Sequence, residues 1–161
     1  MRNAFRLLLA VLLFSSTGAS FAQAPDAMRL AAELSPEAVQ PGAGVLSSAG
    51  YISLTLPRDT PFALFSFFVE GFNGTAYHVH RGGKGTTGPV VMELQPKFDS
   101  RGFAAGYGTG TKELIAEMRA NPSAFYVDVH STRHPDGALR GQLHITQLPA
   151  AFATAPMTGA N

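Results

Sequence analysis

Alternation with a period of two runs through several stretches of this chain, and each reads as a half-buried strand. In Tyr51-Ile52-Ser53-Leu54-Thr55-Leu56, the residues Ile52, Leu54 and Leu56 point one way and Tyr51, Ser53 and Thr55 the other. In Phe125-Tyr126-Val127-Asp128-Val129-His130, the apolar Phe125, Val127 and Val129 face a core, and Tyr126, Asp128 and His130 share the opposite face. In Ala76-Tyr77-His78-Val79-His80-Arg81, Tyr77 and Val79 turn inward, so His78 and His80 stand side by side on the other face. Phe62 to Val69 is apolar at nearly every position and is expected centrally in a sheet. Met28 to Leu34, Val90 to Leu94 and Leu139 to Leu148 complete the expected strands. Phe98 to Gly110 is interrupted by Gly102, Gly106, Gly108 and Gly110, and reads as an edge strand or a loop.

Only one stretch has helical spacing. Lys112 to Ala120 places Leu114, Ile115 and Met118 on one face. Thr111 is a candidate N-cap, Glu113 and Arg119 suit the two ends of the dipole, and Asn121-Pro122 stops it. Turns are expected at Pro41-Gly42, Pro57 to Pro61, Asn73-Gly74 and Pro135-Asp136-Gly137. Asn73-Gly74-Thr75 also fits a glycosylation acceptor, although a turn is the better reading. Short strands, frequent glycine and proline turns and one helix predict an all-β fold: an antiparallel, Greek-key-like β-sandwich with one short helix.

The amino terminus changes the expected compartment. Arg2 and Arg6 precede the apolar run Leu7 to Phe14, and small residues follow to Ala22. This is the layout of a secretory signal peptide, and the run falls short of the about 20 residues a membrane span needs. Cleavage after Ala22 avoids placing Pro25 directly after the cut. The expected organisation is a signal peptide over 1–22, a linker over 23–27, one domain over 28–148 and a flexible tail over 149–161. The expected location is secreted or periplasmic, with no membrane insertion after cleavage.

Charge narrows the partners. The formal net charge is +1, and no run of basic residues is present to attract nucleic acid. The chain has no cysteine, so disulfides and thiol chemistry are excluded.

The histidines are the candidate chemistry. If the strands carrying them are neighbours, His78, His80 and His130 converge with Asp128 close by, and His134 lies within reach. Imidazole suits copper and zinc, and three of them leave a fourth position open. The alternative is structural: His78 and His80 bond the backbone of the glycine loop, and His130 pins the Pro135–Gly137 turn. His144 is expected to face solvent and has no assigned role. Arg140 is expected to hold a carboxylate such as Asp128 in a two-bond clamp. Arg81 and Lys84 line the loop as solvated charges, and Glu113 and Glu117 form the wet face of the helix. Gly82-Gly83-Lys84-Gly85-Thr86-Thr87 is not a phosphate loop, because its glycines are wrongly spaced and a strand follows. No serine with a base and acid at usable spacing stands out.

Three segments in order carry a family resemblance: Tyr77-His78-Val79-His80-Arg81-Gly82 running to Gly88-Pro89-Val90-Val91, then Tyr126-Val127-Asp128-Val129-His130-Ser131, then Gly137-Ala138-Leu139-Arg140-Gly141-Gln142-Leu143. Over roughly residues 28 to 146 the chain resembles the CHRD domain, named after the animal protein chordin. Asp128 stands where that family usually has Asn, and Ala138 where Glu is common. The resemblance implies a secreted β-sandwich without an agreed chemistry. In chordin the domains belong to an extracellular growth-factor antagonist, a role with no counterpart in a bacterial member. The chain is also similar to copper-zinc superoxide dismutases in its His-Val-His strand, glycine-rich loop and late Gly-x-x-Arg at Gly137 to Arg140. The cysteines and zinc-ligand loop of that family are absent.

The leading functional expectation is a secreted, non-enzymatic binding module for an unknown ligand or protein partner. The alternative is an extracytoplasmic copper- or zinc-binding protein on a superoxide-dismutase-like sandwich, with those two metals as the only candidate cofactors and His78, His80 and His130 as ligands. The signal-peptide reading predicts an exported form beginning at Gln23, which intact-mass measurement checks. An exported form that still carries Met1 to Ala22 contradicts it.

Overall fold

A computed structural model describes residues 26–39, 48–69, 74–99 and 103–146. The expected signal peptide, the Pro41-Gly42 turn, Asn73 and the tail lie outside them. Nine strands are present among the described residues: β1 (Ala27–Leu34), β2 (Gly50–Pro57), β3 (Phe62–Val69), β4 (Ala76–Arg81), β5 (Val90–Phe98), β6 (Phe103–Thr109), β7 (Phe125–His130), β8 (Leu139–Gln142) and β9 (His144–Ile145). One helix, α1 (Lys112–Ala120), joins β6 to β7.

All pairings between strands are antiparallel, in the order β8-β7-β4-β5-β6-β3-β2-β1-β9. The sheet nearly closes on itself. Ser35, just past β1, exchanges two backbone hydrogen bonds of 3.0 Å with Arg140 on β8. β4, β5 and β6 follow one another, and the chain then returns through α1 to lay β7 beside β4, which is a Greek key.

The inner face of this sheet is the core. Leu30, Ile52, Leu54, Leu56, Met92 and Leu139 are fully buried there. α1 adds Leu114, Ile115 and Met118 to the same cluster. Thr111 caps it by accepting a hydrogen bond of 3.1 Å from the Leu114 amide. At its other end, Arg119 donates to the Leu56 carbonyl at 2.6 Å, tying the helix to β2.

One expectation needs correction. Phe103–Thr109 is neither an edge nor a loop: β6 lies between β5 and β3, paired on both sides. Its glycines allow close approach, since a Cβ at Gly106 would sit 2.0 Å from the Gln95 carbonyl oxygen. β3 is central, as its composition predicts, but only one of its faces is covered. Phe62, Leu64 and Phe68 on its outer face are exposed.

Val127 is fully buried between β4 and β8. Val127→Asp places a carboxylate there without a partner and should cost at least about 3 kcal/mol, read by chemical denaturation. A midpoint equal to that of the wild type would contradict the assignment of the strand's faces.

Candidate metal centre

β4 and β7 pair in a register that sets Ala76 opposite His130, His78 opposite Asp128 and His80 opposite Tyr126. Directly opposed residues share a face, so alternation on both strands gathers the polar side chains outside and sends Tyr77, Val79, Val127 and Val129 into the core. The three histidines expected to converge do so. The His78 ring lies 4.9 Å from that of His130 and 5.8 Å from that of His80, centre to centre. One ring nitrogen from each lies within 4.8 Å of the other two.

Two of the rings are held by their Nδ1 atoms. His80 Nδ1 is 2.9 Å from the Gly88 carbonyl oxygen, and His130 Nδ1 is 2.8 Å from that of Pro135. A carbonyl only accepts, so each Nδ1 carries the proton and each Nε2 presents a lone pair. His130 Nε2 faces His78 Nδ1 at 3.2 Å. His80 Nε2 is buried with no hydrogen-bond partner. The structural contacts expected of His80 and His130 are thus present, and they fix the orientation of both rings.

The glycine-rich turn after β4 is built into this arrangement. A Cβ at Gly88 would lie 1.6 Å from the Arg81 carbonyl oxygen, so only glycine fits there. The Gly88 amide donates to the Tyr126 hydroxyl at 3.2 Å. Arg140, only 3% exposed, donates to the Thr86 carbonyl at 2.6 Å and to that of Gly83 at 3.3 Å. Its guanidinium lies 3.4 Å over the Tyr126 ring, while His80 stacks on that ring at 4.7 Å and 10°. Gln142 donates to the Gly82 carbonyl at 3.0 Å.

Asp128 differs from expectation. It faces Arg140 across β7 and β8, yet the guanidinium serves the loop carbonyls, and Asp128 Oδ1 is buried without a hydrogen-bond partner. Burial raises the Asp128 carboxyl above its ordinary range, against the pull of His130, His80 and Arg140. Burial, then the neighbouring His130 and His80, lower the His78 imidazole below its ordinary value. A ring that resists protonation stays available as a ligand.

His134 stays outside the group, with its amide bonded to Ser131. His144 is exposed on β9, as expected. The role of Tyr126 as a stacking surface for His80 was not foreseen. The alternation put it on the right face, but nothing in the sequence says that the loop and Arg140 cover it. The set offers three nitrogen donors and an open side, which fits copper or zinc in chemistry and donor number.

Residues 30–143 match the family model described as CHRD domain. No curated protein and no solved structure matches the chain.

The loop geometry separates two alanine substitutions. A Cβ at Gly83 meets nothing within 4 Å. Gly88→Ala should displace the loop and destabilise the fold by about 2 kcal/mol or more, with the His80 ring resonances shifted in NMR spectra, whereas Gly83→Ala should change neither. Equal effects from the two would mean that Gly88 is not what positions His80.

Proposed function

Because this chain belongs to the CHRD domain family, an interaction module at the level of the domain, we propose that it is an exported, non-enzymatic module whose ligand is copper or zinc, held by His78, His80 and His130. Export rests on the sequence of residues 1–22 alone and carries the periplasmic or secreted location with it. The metal reading rests above all on His80. Its Nδ1 is fixed to Gly88 and its Nε2 is buried beside two other imidazole nitrogens with nothing to bond. A buried acceptor left unpaired costs about 1–3 kcal/mol, which ligation would relieve.

Each residue has a separate part. His80 and His130 present Nε2 because their Nδ1 protons are committed to carbonyls. His78 Nδ1 donates to His130 Nε2 at 3.2 Å, a proton it would give up on ligation. Asp128 on β7 brings a carboxyl within electrostatic reach of His130 and His80. Tyr126 and the loop shield one side of His80 from water. A bound divalent ion would supply positive charge and an open coordination position.

Ligation needs neutral imidazole, so affinity should fall as pH drops below about 6.5. Burial keeps the His78 ring neutral further into acid than a free imidazole. Calorimetric titration of tag-free protein with Cu²⁺ and with Zn²⁺ tests the reading. Binding should be saturable at micromolar concentration and raise the melting temperature. His78→Ala, His80→Ala and His130→Ala should each abolish it, and His144→Ala should not. Absence of saturable binding, or equal loss in the His144 variant, would defeat the reading and leave the histidines as loop anchors.

A further inference from the structure

The outer face of β2, β3 and β6 is apolar, uncharged and away from the histidines on β4 and β7. Six large side chains, Tyr51, Phe62, Leu64, Phe68, Phe103 and Tyr107, remain 36–48% exposed there. The register sorts them into rows that run across the strands. Tyr51, Phe68 and Phe103 form one ridge, and Leu64 and Tyr107 form another. Between the ridges, Ser53, Ser66 and Ala105 make a floor of small residues. Along a strand, alternate residues are about 7 Å apart, so each ridge stands one step from the floor.

We propose that this face is a dimer interface that receives a second copy of the same chain. The order of residues along β3 is self-complementary. Its outward positions read Phe62, Leu64, Ser66, Phe68. A two-fold axis across the strands, passing between Leu64 and Ser66, puts each Leu64 on the other copy's Ser66 and each Phe62 on the other copy's Phe68. β6 lies in register to do the same. Ser66 pairs with Ala105 and Leu64 with Tyr107, so the same axis sets each Tyr107 on the other copy's Ala105. Large side chains fall on small ones twice over, as an isologous contact demands. Two aligned sheets pack about 10 Å apart in this way.

The area is adequate. An aromatic side chain carries about 150–250 Å² of surface, so six residues of this size at their observed exposure offer roughly 500 Å². The floor and the flanking threonines bring the face toward the ~800 Å² per partner of a stable interface. No acid or base stands at the outward positions of β2, β3 or β6; Lys97 on β5, beside Ala105, and Arg29 and Glu33 on β1, beside Thr55 and Tyr51, form a charged rim around the face.

Sedimentation of the full-length protein tests the proposal, and it does so independently of metal. The wild type should form a dimer at micromolar concentration. Leu64→Ser removes the knob and Ser66→Leu fills the hole, and each should weaken the dimer at least ~10-fold while leaving circular dichroism unchanged. The double variant Leu64→Ser/Ser66→Leu exchanges knob and hole on both copies and should restore the dimer. Ala105→Arg, a change on the exposed floor, should give a folded monomer and serves if a β3 variant fails to fold. A wild type that is monomeric up to its solubility limit overturns the proposal, as does a double variant weaker than both singles. A monomer that instead sediments with neutral phosphatidylcholine vesicles, or with an insoluble polysaccharide, assigns the face to that surface and overturns it equally.

Discussion

The pairing of β4 with β7 decides both what the interior contains and what the outer surface presents. Six residue pairs run from Ala76↔His130 to Arg81↔Phe125. In that register Tyr77, Val79, Val127 and Val129 join the core while His78, His80, Asp128 and His130 stay outside. A slip of one residue would exchange the two sets, turning imidazoles and a carboxylate into the apolar core and the valines out of it. The cost of that exchange holds the histidines in position. Their convergence therefore derives from hydrophobic burial on the opposite side of the same strands.

Much of this was legible because the two faces differ sharply in polarity. The alternation of Phe125 to His130 and of Ala76 to Arg81 assigned every side chain to its face, and the helix over Lys112–Ala120 was marked by cap, apolar stripe and stop. Placement of strands relative to one another was not legible from the residues alone. His78 and His130 are 52 positions apart, and local pattern carries no record of such a pairing. The shared CHRD segments placed them in one domain without fixing their distance.

Where the reading of residues missed, a residue type had two uses. Glycine marks a turn in a loop, but in β6 Gly106 and Gly108 admit the Gln95 carbonyl and the Met92 side chain. Arginine opposite aspartate suggests an ion pair, yet Arg140 bonds the carbonyls of Thr86 and Gly83 and lies on Tyr126. Unbroken apolar sequence placed β3 inside the sheet as expected, without telling that Phe62, Leu64 and Phe68 stay in contact with solvent. In each case the sequence shows the capacity of a side chain, and the packing selects which capacity is used.

The Greek-key return has a consequence in time as well as in space. A chain emerging residue by residue completes β4, with His78 and His80, long before β7 exists. β5, β6 and α1 are all synthesised before His130, and closing so long a loop carries its own entropy cost. Until then the pair on β4 lacks its third member, and the loop lacks Tyr126 and Arg140 to shape it. The three imidazoles thus come together only with the nearly closed sheet, which sets the surface of a folded chain apart from that of a nascent one.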